Sequence, residues 1–221
     1  MKFFISTLSL ILVLSSIINT ADSFTLTCEY SVDATFGYKC ESKGFTINSK
    51  LNRTITNVVG KHLDGRTDKD VKFFRSYKNN MQFLPLQITK FFENIESIQI
   101  NHGFLTEITA DDLQQFGAKL KYLWIGTNSI EVIERDLFRF TQNVESVGLA
   151  YNKIVHIQTG ALSFLRNLHS LWFYNNPCAV KENVENNRLE AINLVNCVES
   201  SCKDYSKVNK TVSTNCLVTK P

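Results

Sequence analysis

After one apolar run at its start, the chain has no second stretch long and apolar enough to span a bilayer. Its C-terminus lacks the apolar tail of a lipid-anchor signal. It has no basic stripe, and a net charge of +3 is too mild to point to nucleic acid. There is no nucleophile elbow and no glycine-rich phosphate loop. The four histidines, His62, His102, His156 and His169, stand in no metal-ligand spacing. His102 and His169 fall beside strands, where a solvated histidine is the expectation. The aspartates of "TADDLQQF", Asp111 and Asp112, read as a helix or turn start rather than acid/base machinery. These absences predict a chain that is not an enzyme and takes no cofactor or metal. Catalysis would have to be assembled from scattered residues.

What is present begins with a leader. Met1-Lys2 supplies a basic start, Phe3 to Ile18 runs apolar, and "NTADS" supplies small residues. This reads as a secretory signal peptide over 1–23, with Ala21 and Ser23 fitting the cleavage pattern and a cut after Ala21 also fitting. Roughly 200 residues follow, enough for one domain with a sizeable core. All six cysteines (Cys28, Cys40, Cys178, Cys197, Cys202, Cys216) lie beyond the leader. An even count in an exported chain reads as disulfides. Asn52 in "NRT" and Asn209 in "NKT" are glycosylation acceptors by pattern.

The two tryptophans, Trp124 and Trp172, stand in the same local frame, and that frame recurs. It opens at Val71, Ile95, Leu120, Val144 and Leu168, in steps of 24, 25, 24 and 24 residues. Its fourth position is Phe74, Ile98, Leu123, Val147 and Leu171. Its sixth is Ser76, Ile100, Ile125, Leu149 and Phe173, its ninth Asn79, Gly103, Asn128, Asn152 and Asn176, its eleventh Met81, Leu105, Ile130, Ile154 and Cys178. Apolar residues two apart have strand periodicity and point to one face. Repeated at a fixed period, such strands stack and bury a continuous core.

This pattern, L-x-x-L-x-L-x-x-N-x-L, resembles the leucine-rich repeat family. The resemblance implies an α/β solenoid, a short horseshoe with a parallel sheet on its concave face. It implies that the asparagines turn the chain and hydrogen-bond backbone, so Asn128 and Asn152 are expected to be structural. Four full repeats and a truncated fifth cover residues 71–178. Ser76 weakens the first repeat, and Gly103 replaces the asparagine of the second. The open ends of a solenoid need covers. Residues 24–70 read as an N-terminal cysteine cap, a hairpin closed by Cys28–Cys40, followed by a degenerate repeat in "TITNVVGKHLDG". Residues 179–221 read as a C-terminal cysteine cap and tail, with a helix over 182–196 whose face is Val184, Arg188, Ile192 and Val195. The four C-terminal cysteines allow three pairings. Cys197–Cys202 would leave the cap untied to the repeats, and the other two pairings stay open.

Positions three, five and seven should point to the open face. They place Phe73, Arg75, Tyr77, Tyr122, Trp124, Trp172 and Tyr174 there, with Tyr151 alongside and Gly148 in the floor. These residues form the candidate ligand-binding surface. Strands about 4.8 Å apart put Trp124 and Trp172 roughly 10 Å from each other across Gly148, which predicts an aromatic slot if the rings stand upright. The alternative is an indole laid across Gly148, filling the space the glycine leaves. The family resemblance implies recognition on this face: an extracellular protein foremost, otherwise a glycan or lipid. The second reading is a structural extracellular-matrix component. The ligand and the oligomeric state are not legible.

Overall fold

The structure, a computed structural model, describes residues 23–178 and 183–203. The expected leader, Asn209 and Cys216 lie outside the described residues.

A hairpin begins the fold. β1 (Ser23–Asp33) and β2 (Gly37–Ser42) pair antiparallel, with Tyr30 opposite Cys40. Leu26, Cys28, Tyr30, Tyr38 and Cys40 are buried, following the period of two. The expected Cys28–Cys40 disulfide closes the hairpin. β3 (Thr46–Ile47) and β4 (Thr54–Val59) follow. Because β1 has 11 residues and β2 only 6, the start of β1 overhangs the hairpin. β4 pairs in parallel with that overhang, Ser23 through Thr27. "TITNVV", read from the sequence as part of a degenerate repeat, extends the sheet along β1, and at its start Thr54 bridges in parallel to Leu86 behind the first repeat.

The place before the first repeat belongs to β2. It pairs in parallel with β5 (Phe73–Tyr77), setting Cys40 beside Phe74 and Ser42 beside Ser76. On the opposite side β6 (Asn80–Met81) pairs with β3, setting Ile47 beside Met81. α1 (Ile88–Phe91) returns the chain to β7 (Ser97–Asn101), and α2 (Ala110–Gln114) returns it to β8 (Tyr122–Trp124). β9 (Val132–Ile133) and β11 (His156–Ile157) pair on the convex side, while β10 (Ser146–Gly148) and β12 (Ser170–Trp172) extend the main sheet. β13 (Asn183–Val184) closes its far edge antiparallel to β12. Among the described residues the main sheet runs β13-β12-β10-β8-β7-β5-β2-β1-β4. This is the expected parallel-sheet solenoid. Positions four and eleven of every frame are buried, Phe74 through Leu171 and Met81 through Cys178, and they form its core.

The asparagines join one turn to the next. Asn152 donates to the carbonyls of Ile125 and Leu149 and accepts the N–H of Ile130. Asn176 repeats this with Leu149, Phe173 and Ile154. Asn128 donates to Ile100 and Ile125 and accepts from Gly103 and Leu105, so it serves the turn that has lost its own asparagine. Asn79 reaches back to the carbonyl of Ser42, and it also donates to the Ser76 hydroxyl, which explains a serine at that apolar position. Each side chain thereby satisfies backbone groups that no strand pairs. The residue before each asparagine position, Lys78, His102, Thr127, Tyr151 and Asn175, holds φ between 54° and 57°. Non-glycine residues adopt this left-handed conformation only when the surroundings impose it.

On the convex side Asp112 is the acceptor of a capping box with Thr109, as a helix start requires. It is 1% exposed and also takes the guanidinium of Arg53, which ties the N-terminal segment to α2. At the C-terminal end the predicted helix is corrected. α3 spans Arg188–Ser201, begins at the Asn187 cap, and buries Ala191, Leu194 and Val198. Val184 is instead in β13, drawn there by the open edge of β12, and Ile192 is 42% exposed. Cys178 pairs with Cys202, one of the two pairings left open, and Cys197 is disulfide-bonded as well. The Glu199 carboxylate accepts the N–H groups of Gly160 and Leu162, so α3 is held against the last full repeat.

The N-terminal cap has its own polar core. Tyr30 and His62 stack with centroids 3.8 Å apart, and Asp68 accepts from Tyr30 at 2.5 Å and meets His62 Nε2 at 3.2 Å. Burial first, then the Asp68 hydrogen bond and charge, push the Tyr30 phenol far above the usual tyrosine range.

Two outcomes are expected. Asn128→Ala strands several buried backbone groups and should destabilise the fold by about 3 kcal/mol or more, whereas the exposed Asn94→Ala should cost less than about 1 kcal/mol, both read by urea unfolding. The folded state holds the Tyr30 proton more tightly than the unfolded chain. That contribution is complete below about pH 10 and is lost as pH rises further, so Tyr30→Phe should flatten the alkaline fall in stability between about pH 10 and 12.

Candidate functional site

The parallel register sets residues of equal frame position side by side. Ser97, Tyr122, Ser146 and Ser170 align at position three, and Gln99, Trp124, Gly148 and Trp172 at position five. The side chains of these rows project from the sheet face opposite the core, as the alternation of strands dictates.

The predicted slot is absent. Trp124 and Trp172 meet edge to face, with ring centroids 6.4 Å apart at 79°. Trp124 lies over Gly148, where a Cβ would meet its Cδ1 at 2.6 Å. Gly148 is buried, and the alternative packing, an indole filling the place of a missing side chain, is the one the structure adopts. Both indole nitrogens are satisfied: Trp124 donates to the Ser146 hydroxyl at 3.2 Å, and Trp172 donates to the Glu185 carboxylate at 2.9 Å. Polar partners at both edges hold the rings down, so a standing pair with a gap would break two hydrogen bonds.

A further ring completes the layer. Phe36, at the tip of the β1–β2 hairpin, packs edge-on against Phe73 at 5.3 Å, Tyr122 at 5.1 Å and Trp124 at 4.8 Å. Strand parity assigns Phe36 to the core side with Tyr38 and Cys40. The turn breaks that parity: Asp33 accepts the N–H of Thr35 and Phe36, and Gly37 takes φ +79°. The ring is thereby thrown onto the sheet's open face. Phe73 is only 2% exposed as a result, and Ser97, Ser146 and Ser170 are buried. The position-three row is packing, with Tyr122 as its half-exposed member; the Tyr122 hydroxyl donates to Glu145 at 3.3 Å. Burial and the Glu145 charge raise its phenol above the usual range.

The remaining candidates form two groups beside this layer. Arg75 stands over the Tyr77 ring at 5.3 Å and bonds Glu41 at 3.4 Å, and Tyr77 meets His102 edge-on at 5.2 Å. Across the face, Tyr151 and Tyr174 meet edge-on at 5.2 Å, and Tyr151 is 52% exposed. Between the groups the seventh position is small, Gly126 and Ala150. A Cβ at Gly126 would lie 3.0 Å from the Ala150 carbonyl, so a side chain there fits only tightly.

Tyr122, Trp124, Gly148 and Trp172, singled out in the sequence, are neighbours in the sheet, whereas Phe36 and Glu185, which finish the layer, were not among the candidates. The one available signal was Asp33 three residues ahead of Phe36, a turn former with a glycine behind it. The arrangement offers flat aromatic area, the hydroxyls of Tyr77, Tyr151 and Tyr174 and the Arg75 guanidinium. Among the described residues no group of three or more acidic, histidine or cysteine side chains is placed to hold a metal ion.

Residues 118–177 match the leucine rich repeat family. No curated protein matches the sequence. Among solved structures the chain is similar to Toll in the Toll–Spatzle complex, described as a molecular hub in Drosophila development and innate immunity. The identity there is 14% and the TM-score 0.43, over 57% of this chain and 21% of that one. It is also similar to the leucine-rich repeat domain of APL1, with 14% identity and a TM-score of 0.33, over 69% of this chain and 48% of that one. The chain thus spans less than half the length of either. Through the frame of its repeats, the asparagines that join them and the disulfide at each end, this chain has the fold of a leucine-rich repeat solenoid, and its residues 118–177 match that family.

Proposed function

We propose that the protein is a secreted, non-catalytic binding module that recognises an extracellular protein on its concave face. The observation that carries this reading is the aromatic layer from Phe36 to Trp172, bordered by the exposed Tyr151 and the half-buried Tyr174. An apolar aromatic area of this kind, on a sheet face that could have been polar, marks an interaction surface. Tyrosine, tryptophan and arginine are also the side chains that dominate binding energy at protein interfaces.

The packed rings shape what is recognised. With no slot to enter, the surface suits a partner that lays its own apolar and hydrogen-bonding groups across the layer. Rings already held by neighbours lose little freedom on binding, which favours affinity. The disulfides are in keeping with an oxidising, extracellular compartment. Among the described residues no helix is long and apolar enough to cross a membrane. Asn52, in the segment between β3 and β4, is the proposed glycan acceptor within the described residues.

The experiment is affinity capture from native extracellular fluid, with the mature protein beside a Tyr151→Ala/Tyr174→Ala variant whose fold is checked by circular dichroism. These rings border the layer without sealing Gly148, so their loss spares the packing. A partner captured by the parent should bind the variant weaker by about 2 kcal/mol, roughly 30-fold. Equal retention by both would remove the concave face from recognition.

A further inference from the structure

A second feature lies at the rim of the sheet, away from the Tyr151–Tyr174 edge. We propose that the crevice between the hairpin tip and this rim binds a small organic carboxylate with a flat apolar body.

The crevice has a volume of about 290 Å³ and is lined in part by Phe36, Lys72, Glu96, Ser97, Lys121 and Tyr122. That places it at the small end of ligand-binding cavities, which begin near ~300 Å³. The repeat itself assembles the charged wall. Position two of three successive frames reads Lys72, Glu96, Lys121, so the strand spacing sets an ammonium, a carboxylate and an ammonium in a row. Glu96 takes Lys72 Nζ on one oxygen at 3.0 Å and Lys121 Nζ on the other at 2.9 Å. The Lys121 and then the Lys72 hydrogen bonds keep its carboxyl below the usual range, so the row stays charged.

This row has capacity left over. An ammonium has three donors, and Glu96 takes one from each lysine, leaving the others for an incoming anion. The three groups sum to one net positive charge. Glu145, next along the row, acts on Lys121 but does not line the crevice. A single carboxylate is therefore the charge the wall accepts.

The floor and the opposite side give the rest of the ligand. Ser97 is 1% exposed, and its hydroxyl has no hydrogen-bond partner among the described residues. Buried polar groups are nearly always paired, and leaving one unpaired costs free energy. Phe73 and Tyr122 flank Ser97 on the neighbouring strands, and Phe36 packs on both, so its ring bridges over the serine. On this proposal, ligand entry moves the Phe36 ring far enough to open that hydroxyl to a ligand oxygen. Phe36 and Tyr122, which both line the crevice, supply its apolar side for a planar body.

The test uses benzoate as the probe and benzamide as its uncharged counterpart, followed by ligand-observed NMR on the mature protein at low ionic strength. Benzoate should bind saturably, benzamide at least about tenfold more weakly, and added salt should weaken benzoate alone. Lys72→Gln/Lys121→Gln should lose about tenfold in benzoate affinity, with melting nearly unchanged because exposed ion pairs contribute little to stability. Ser97→Ala removes only a hydroxyl without a partner and should also weaken benzoate, which provides a second reading if the lysine variant folds poorly. Absence of benzoate binding up to ~20 mM, equal binding of benzamide, or undiminished binding by folded variants would each overturn the proposal.

Discussion

The structure depends on one recurring interaction: a buried asparagine that answers the backbone of two turns at once. A short strand leaves most of its repeat without ladder partners, and the inside of a solenoid has no water to replace them. One carboxamide, with two donors and an acceptor with two lone pairs, supplies what is missing. Asn152 and Asn176 do this in the same way, and Asn128 extends it to a turn whose own position is Gly103. The ladder fixes the stacking of neighbouring turns. The stacking in turn aligns equal frame positions across the sheet, which is why rows of like position become rows in space.

The concave face is a consequence of that alignment. Trp124, Gly148 and Trp172 are adjacent because their strands are in register, not because anything in the face draws them together. Given that placement, an indole beside a glycine lowers its free energy by lying down, where it gains contact and keeps its N–H bonded. Phe36 closes the layer from outside the repeats. The same hairpin whose second strand begins the parallel sheet thus also seals its open face, so the N-terminal cap is part of the concave aromatic layer as well as a cover for the core.

The frame made most of this legible. Positions four, six, nine and eleven predicted the core, the asparagine ladder and the membership of each row, because packing along a solenoid is local and repeats. What was hidden depends on contacts outside the period. β2 as the strand ahead of β5 has a serine at position six and no visible frame, and only its pairing reveals it. Phe36 depends on a turn that reverses strand parity. The left-handed residues before the asparagines include no glycine, so no residue type announces them. The orientation of the two indoles was open in the sequence because their placement is fixed by register, whereas their tilt is fixed by Ser146 and Glu185, side chains from a neighbouring repeat and from the cap.

On the proposed function, the packed aromatic layer of the concave face meets a partner as a surface. Hydroxyl-radical footprinting, with the protein alone and bound to its captured partner, tests this most directly. Strong protection of Tyr151, Tyr174 and Trp172 is expected on binding, with the buried Phe73 unreactive in both states. Unchanged reactivity of those rings, with protection confined to the convex side around α1 and α2, would contradict it.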